Sequence, residues 1–297
     1  MKRLFLFAAY NKGQEINETL IDYLENVSNL GDIVLCFDSD VSKTELKKLA
    51  HIPNILHVDA VRHMEYDFGS YKRAYQWAEH NKILSKYDYV YFVNDSVYCL
   101  GLPEYMLSAL ESTKDDLIGM VKYADCQTPE YMQSWFMGIS KRVAKADFIS
   151  KFIDDITKQT NKNDIVLKYE IMFSRMIVNH GFKMSAVIPR AHDTTIVYKR
   201  PYALLNDGVP FIKKKAIQYI GDMSRLVLYA QSEKIAKNIC DDAVKSGIEI
   251  KPNKYRCVYK LAVFGIPVFK KMLSNDNKSA KGYLFGVPLF KVIHKVI

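Results

Sequence analysis

The stretch YDYVYFVNDSVY, Tyr87–Tyr98, decides how the rest of the chain is read. A run of aromatic and β-branched residues stops abruptly at Asn94-Asp95-Ser96. The run predicts a buried strand. The short acidic turn has two readings. Asn and Asp close strand-end turns by bonding to their own backbone. Alternatively, Asp95 is aimed at a ligand, directly or through a metal ion.

Outward from this strand, strands and helices alternate. Before it, RLFLFAAY, DIVLCF and NILHVDAV read as strands. Between them, Ile16, Leu20, Leu24 and Val27 fall at helical spacing, and Ser42 with Glu45 has capping-box spacing. EYDFGSYKRAYQWAEHNKIL predicts a turn leading into a helix. After it, LIGMVKY, SWFMGIS and MSAVIP are strand candidates. KRVAKADFISKFIDDI, DIVLKYEIMFSRMIVNHG (stopped at Gly181) and DMSRLVLYAQSEKIAKNICDDAVKSG read as helices. This order predicts an α/β domain with a mostly parallel, covered sheet. Ligands bind such sheets beyond the C-terminal ends of the strands. Tyr10, Asp38, Asp40, Asp67 and Asp95 all follow strands or lie in turns. Neither a GxGxxG nor a GxxxxGK[ST] motif occurs, which argues against a standard dinucleotide or P-loop site.

The 297 residues are 49% hydrophobic and 25% charged, enough for one large domain with an appendage. The five cysteines are scattered without CxxC spacing, so neither a disulfide framework nor a zinc site is indicated and a reducing, cytoplasmic setting is expected. The seven-residue apolar run near the N-terminus leads into Asn-Lys rather than a cleavage site, and reads as the first strand. No uncharged run approaches the roughly 20 residues needed to cross a bilayer.

Charge divides the chain. Residues 251–297 hold ten Lys/Arg and one acid, a formal +9. The first 250 residues hold the other 32 basic and 32 acidic residues. The expected organisation is therefore a main domain over 1–250 and a basic tail over 251–297. A neutral main domain argues against nucleic acid as a partner; a cationic tail favours an anionic surface. The tail also repeats itself. LAVFGIPVFKK (261–271) and GYLFGVPLFKV (282–292) share Phe-Gly-(Ile/Val)-Pro-(Val/Leu)-Phe-Lys. Proline forbids a continuous helix through either unit. Hairpin-like flaps are expected instead, with Phe264, Phe269, Phe285 and Phe290 entering a lipid interface and lysines among acidic headgroups. The plainer alternative is that the repeat packs on the main domain.

Five segments occur in a particular order: EYDFGSYKRA, YDYVYFVNDSVY, YMQSWFMGISKRV, YEIMFSRMIVNHGF and GVPFIKKKAI. Together they resemble the rhamnan synthesis protein F family of bacterial surface-polysaccharide glycosyltransferases, over roughly residues 1–220. The resemblance implies a GT-A-like nucleotide-sugar-binding domain. It also implies transfer of a rhamnose- or galactofuranose-type sugar from a UDP- or dTDP-linked donor to a growing, lipid-linked glycan. The enzyme would be cytoplasmic and peripheral on the inner face of the membrane.

Given that resemblance, departure of the sugar leaves charge on a diphosphate, which a metal or positive side chains must stabilise. GT-A enzymes commonly place Asp-x-Asp there. This chain has Asn94-Asp95-Ser96, so Asp95 supplies one hard oxygen ligand for Mn²⁺ or Mg²⁺, or binds a sugar hydroxyl. His192, after the late strand, is a second candidate metal ligand. Gly69 permits close backbone approach, Ser70 suits a helix cap facing an anion, Asp67 suits a hydroxyl, and Lys72 suits phosphate. Tyr10 and Asn11 border the base by position. Glu170 matches a family acid and is the candidate general base for an inverting transfer. Gln133, Ser134 and Trp135 are candidate acceptor contacts. Each also has an ordinary structural role open to it: helix caps for Asp67 and Ser70, a surface charge for Glu170, core packing for Trp135. Two further readings of the whole chain are a non-catalytic nucleotide- or sugar-binding accessory protein of the same fold, and a peripheral membrane scaffold.

Overall fold

A computed structural model describes residues 1–10, 13–124, 128–159, 161–191, 196–220, 223–247, 255–263, 266–274, 279–284 and 287–293. The chain forms two compact units. The first comprises Met1–Val97 and Leu102–Ile196; the second comprises Tyr98–Gly101 and Val197–Ile297.

The first unit begins as the sequence predicts, with β1 (Arg3–Ala9), α1 (Glu18–Ser28), β2 (Asp32–Phe37), α2 (Lys43–Leu46), β3 (Ile55–Ala60), α3 (Tyr66–His80) and β4 (Tyr89–Asn94). After β5 (Val97–Cys99), whose Tyr98 and Cys99 belong to the second unit, it continues through α4 (Glu104–Ser112), β6 (Leu117–Tyr123), β7 (Tyr131–Met132), β8 (Phe136–Ser140), α5 (Lys141–Ala144), α6 (Asp147–Asp154), α7 (Lys162–Ile165), α8 (Met172–Asn179) and β9 (Met184–Ala191). The sheet order is β3-β2-β1-β4-β8-β6-β7, with β9 also pairing β6. β1 pairs in parallel with β2 and β4, β2 with β3, and β6 with β9. β8 runs antiparallel to both β4 and β6, and β7 antiparallel to β6. The sheet is thus mixed, yet β1, β2, β3, β4, β6 and β9 all point the same way. Their C-terminal ends share one edge. Every residue of β1 and β4 is buried, so covered faces rather than alternation set their composition.

Local chemistry sets the helix ends. Asn17 Oδ1 accepts the Leu20 N–H at 3.0 Å and opens α1. Ser42 Oγ accepts the Glu45 N–H at 3.2 Å, while the Glu45 carboxylate turns to the Ile16 N–H at 2.7 Å instead of closing a capping box. Gly181, at φ 82°, follows the end of α8. The long helix expected over DIVLKYEIMFSRMIVNHG is interrupted: Val166–Ile171, between α7 and α8, is π-helical.

Two buried carboxylates tie the unit together. At the start of β1, Glu111 from α4 accepts Arg3 Nε at 2.6 Å, Arg3 Nη2 at 2.8 Å and Tyr91 Oη at 2.8 Å. Before β6, Asp116 accepts Ser140 Oγ at 2.8 Å, Arg142 Nη2 at 2.7 Å and the Lys183 N–H at 3.3 Å. Burial alone would raise the Asp116 carboxyl, but the bonds from Arg142, Ser140 and Lys183 outweigh it and hold it below its ordinary value. The stabilisation is then complete above the unfolded value of about 3.9 and is lost as pH falls through the folded one. Asp116→Asn is expected to cost about 1–3 kcal/mol at neutral pH and to flatten the acid limb of the stability curve. Urea midpoints from neutral pH down to about pH 3 would check this; an unchanged acid limb would contradict it.

In the second unit, α9 (Ile196–Lys199) leads to α10 (Pro201–Asn206), β10 (Phe211–Lys213), α11 (Leu226–Tyr229) and α12 (Glu233–Lys245). β10 pairs with β5. The Leu100 N–H donates to Pro210 O at 2.9 Å, the Gln231 N–H donates to Leu100 O at 2.6 Å, and Tyr98 Oη donates to Asp242 Oδ2 at 2.5 Å. The helix expected over 222–247 is two helices, because Ala230 is extended and Ser232 caps α12 anew.

Each tail repeat is one antiparallel hairpin: β11 (Tyr255–Val263) with β12 (Ile266–Ser274), and β13 (Ser279–Leu284) with β14 (Val287–Ile293). The two form a four-stranded sheet in sequence order. Val263 pairs Ile266 and Leu284 pairs Val287, and each hairpin has a register shift near its proline. Phe264-Gly265 and Phe285-Gly286 lie outside the described residues. Among the described residues no helix is long and apolar enough to cross a membrane.

Candidate functional site

Four of the sequence segments meet at the C-terminal edge of the sheet. At the tip of β4, the Asp95 N–H donates to Ala8 O at 3.1 Å and the Asn94 N–H to Trp135 O at 3.2 Å, fixing the turn between β1 and the approach to β8. Asn94 is buried and closes the turn. Its Oδ1 accepts the Ser96 N–H at 3.1 Å and Ser96 Oγ at 2.5 Å, an Asx turn. Its Nδ2 donates to Asp67 Oδ2 at 2.9 Å, reaching the first turn of α3. Asp95 itself is 9% exposed.

One turn further along α3, Tyr71 Oη donates to Ser134 O at 2.9 Å; complete burial pushes this phenol well above its ordinary value. The Ser134 N–H donates to Glu170 Oε1 at 2.6 Å. Glu170 is half-buried and sits on the π-helical stretch. Such one-turn irregularities recur at functional sites. Asp67, Asn94, Ser96, Ser134 and Glu170 are therefore joined through hydrogen bonds that also run through the Tyr71 and Trp135 segments. Gln133 and Trp135 belong to the same segment but face the interior: Trp135 is 3% exposed and its Nε1 donates to Gln133 Oε1 at 2.8 Å.

Other candidates sit differently. Lys72 Nζ donates to Asp154 O at 2.8 Å and Ile156 O at 2.9 Å, at and just past the end of α6. Ser70 is buried, its Oγ 3.0 Å from His63 Nε2. A Cβ on Gly69 would lie 2.2 Å from Glu65 Cβ and 2.8 Å from His63 Cε1, so the close approach there is by side chains of the preceding loop. Tyr10 is exposed, with the Arg62 guanidinium 5.2 Å from its ring centroid. Asn11 and His192 lie outside the described residues.

The tip of β2 adds Asp38, one of the strand-end acids expected from the sequence, and Ser39, which no local pattern singled out. Asp38 is buried and accepts the N–H groups of His63 at 2.9 Å and Met64 at 2.7 Å, while Arg62 Nη1 pairs with its Oδ2 at 2.8 Å. The neighbouring Ser39 hydroxyl is buried without a hydrogen-bond partner. A buried orphan hydroxyl in a native fold calls for a cause, and a ligand group is one. Among the described residues, no three His, Cys, Asp or Glu side chains gather closely enough to hold a metal ion. The described residues thus do not by themselves form a metal cage.

The family model of rhamnan synthesis protein F matches residues 33–247. No curated protein sequence matches the chain. Among solved structures, the bifunctional IspDF from Campylobacter jejuni has TM-score 0.35 and 14% identity over 65% of this chain; the chain spans about half of it (49%). The glycosyltransferase GlyE of Streptococcus pneumoniae TIGR4 has TM-score 0.41 and 12% identity, over 87% of this chain and 66% of that one. S. aureus TarS 1–349 in complex with UDP has TM-score 0.35 and 12% identity, over 93% and 96%. All three likenesses are too distant to carry function.

Proposed function

This chain belongs to the rhamnan synthesis protein F family and is on that footing a nucleotide-sugar glycosyltransferase; we propose that it moves a rhamnose- or galactofuranose-type sugar from a UDP- or dTDP-linked donor to a growing, lipid-linked bacterial surface polysaccharide, inverting the anomeric centre. The observation that carries this reading is the hydrogen-bonded set Asp67, Asn94, Ser96, Ser134 and Glu170 at the edge where six strands end. Ligands of α/β sheets collect at that edge.

In the proposed reaction the acceptor oxygen attacks the anomeric carbon as the bond to the diphosphate breaks. Glu170 takes the acceptor proton. Its Oε1 is oriented by the Ser134 N–H, so the carboxylate is held rather than swinging freely. Asp95 and Asp67 engage sugar or ribose hydroxyls, and the N-terminus of the 15-residue α3 faces the developing negative charge. Tyr10 and Ser39 border the nucleoside. Residues 1–250 carry this activity. Residues 251–297 dock on an anionic inner leaflet, where each Lys or Arg contributes about 1 kcal/mol.

A thermal-shift screen against UDP, dTDP and GDP, with and without Mn²⁺, tests the donor class. A nucleotide present at 100 times its Kd should stabilise by about 2.7 kcal/mol, and a matching donor should then be turned over. No shift with any nucleotide would overturn the reading. Tight binding without turnover of any nucleotide sugar would favour the accessory-protein alternative. The single acid in the Asn94-Asp95-Ser96 turn is the feature that favours that alternative.

A further inference from the structure

Residues 61–66 join β3 to α3 across the tips of β2 and β1. Met64 (φ 64°) and Tyr66 (φ 59°) hold left-handed backbone. That geometry costs a residue with a side chain about 1–2 kcal/mol. Both side chains are nevertheless exposed, Met64 by 45% and Tyr66 by 44%, so their own packing does not supply the compensation. Strain of this kind persists only where the surroundings impose it, and it concentrates at ligand clamps.

Here the surroundings are specific. Asp38 holds the His63 and Met64 N–H groups from outside the segment. From within, His63 Nδ1 accepts the Glu65 N–H at 3.1 Å and Nε2 faces Ser70 Oγ at 3.0 Å. A ring whose Nδ1 accepts from the backbone must carry its proton on Nε2, and that proton goes to Ser70. Gly69 leaves the space that the ring occupies. The imidazole side chain is 1% exposed, yet it belongs to a loop with exposed residues on both sides.

We propose that His63 is a positioning residue, which as a neutral imidazole pins segment 61–66 in its strained form beside the strand-tip edge where a nucleotide sugar binds. The assignment to a nucleotide-sugar site rests on the function proposed above; the pin itself does not. The charged groups around the ring are Asp38 at the tip of β2, Asp59 on β3, Glu65 beside it and Arg73 on α3. Burial lowers the imidazole below its ordinary value, and Arg73 adds to this; the three carboxylates pull the other way and lose. A lowered folded-state value means that the neutral ring stabilises the fold fully above about pH 6.5, and that this is lost as pH falls. Protonation would put hydrogen on Nδ1 and cost the Glu65 N–H its acceptor.

Amide hydrogen exchange on the unliganded full chain, paired with UDP and dTDP titrations, tests this. His63→Ala should lower protection of the 63–66 amides by about tenfold and weaken nucleotide binding similarly, the equivalent of one lost hydrogen bond. His63→Asn, which keeps an acceptor near Nδ1 but does not titrate, should restore protection of the Glu65 amide. It should also remove the loss of protection expected of wild type as pH falls below about 6.5. If His63→Ala does not fold, Ser70→Ala carries the test and should lower protection in the same direction. Unchanged protection in the folded variant, or no pH dependence in wild type, overturns the pin. A wild type that binds no nucleotide sinks the functional reading, while exchange still decides the role of His63.

Discussion

Glu170→Gln is expected to lower turnover of the donor by about 10²–10⁴-fold while leaving nucleotide affinity within about threefold. The substitution is chosen for what it keeps. Its amide oxygen can still accept the Ser134 N–H, now 2.6 Å from Glu170 Oε1, so the link from the π-helical stretch to the approach to β8 survives. What it removes is the ability to take a proton. A base acts only in the chemical step, so its loss should appear in kcat and not in donor binding. The pH profile should change too: the acidic limb belonging to the base should vanish in the variant. If turnover is untouched, Glu170 is a structural acceptor for Ser134, a role that Gln keeps, and the base lies elsewhere. If binding and turnover fall together, the carboxylate's charge supports the donor site rather than the chemical step alone.

The largest effect on stability should come from the other end of β1. Glu111→Ala is expected to cost about 3–5 kcal/mol, read from urea midpoints, because it leaves a charged guanidinium uncompensated. The Arg3 side chain is 2% exposed and that of Glu111 0%. The hydrogen bond to Glu111 is also the main reason the Arg3 guanidinium holds its proton even more firmly than usual. Tyr91 would lose its acceptor in the same stroke. Replacing both partners by apolar residues of similar volume should recover most of the loss, since the ion pair bears its own desolvation cost. A double variant as unstable as Glu111→Ala would mean that the pair, not the stranded charge, holds β1 in place.

The sequence was legible where burial alone fixes composition. β1, β2 and β4 are covered on both faces and read as unbroken apolar runs, and α1 shows its buried stripe at helical spacing. Asp67, Asn94, Ser134 and Glu170 could be named because each stands in a distinctive local segment. Features set by distant partners were not legible. Nothing in VLKYEI signals a π-helical turn inside a helical pattern. β8 reads like any strand, and its reversed direction follows from which neighbours it joins. Lys72 looks ready for phosphate, but carbonyl oxygens 82 and 84 residues away take its donors. His63 has no motif around it, and its importance comes from Asp38, Ser70 and Gly69 converging on one ring.

A chain ended after residue 196 would not be a free-standing first unit. Tyr98–Gly101 would stay behind, an apolar stub whose partners Pro210, Gln231 and Asp242 had been cut away. Exposed apolar stubs of that kind promote aggregation. A well-behaved fragment needs those four residues replaced by a polar bridge as well. The same threading imposes an order on biosynthesis. Tyr98 leaves the ribosome 144 residues before its partner Asp242, so the second unit cannot close until translation has run almost to the tail.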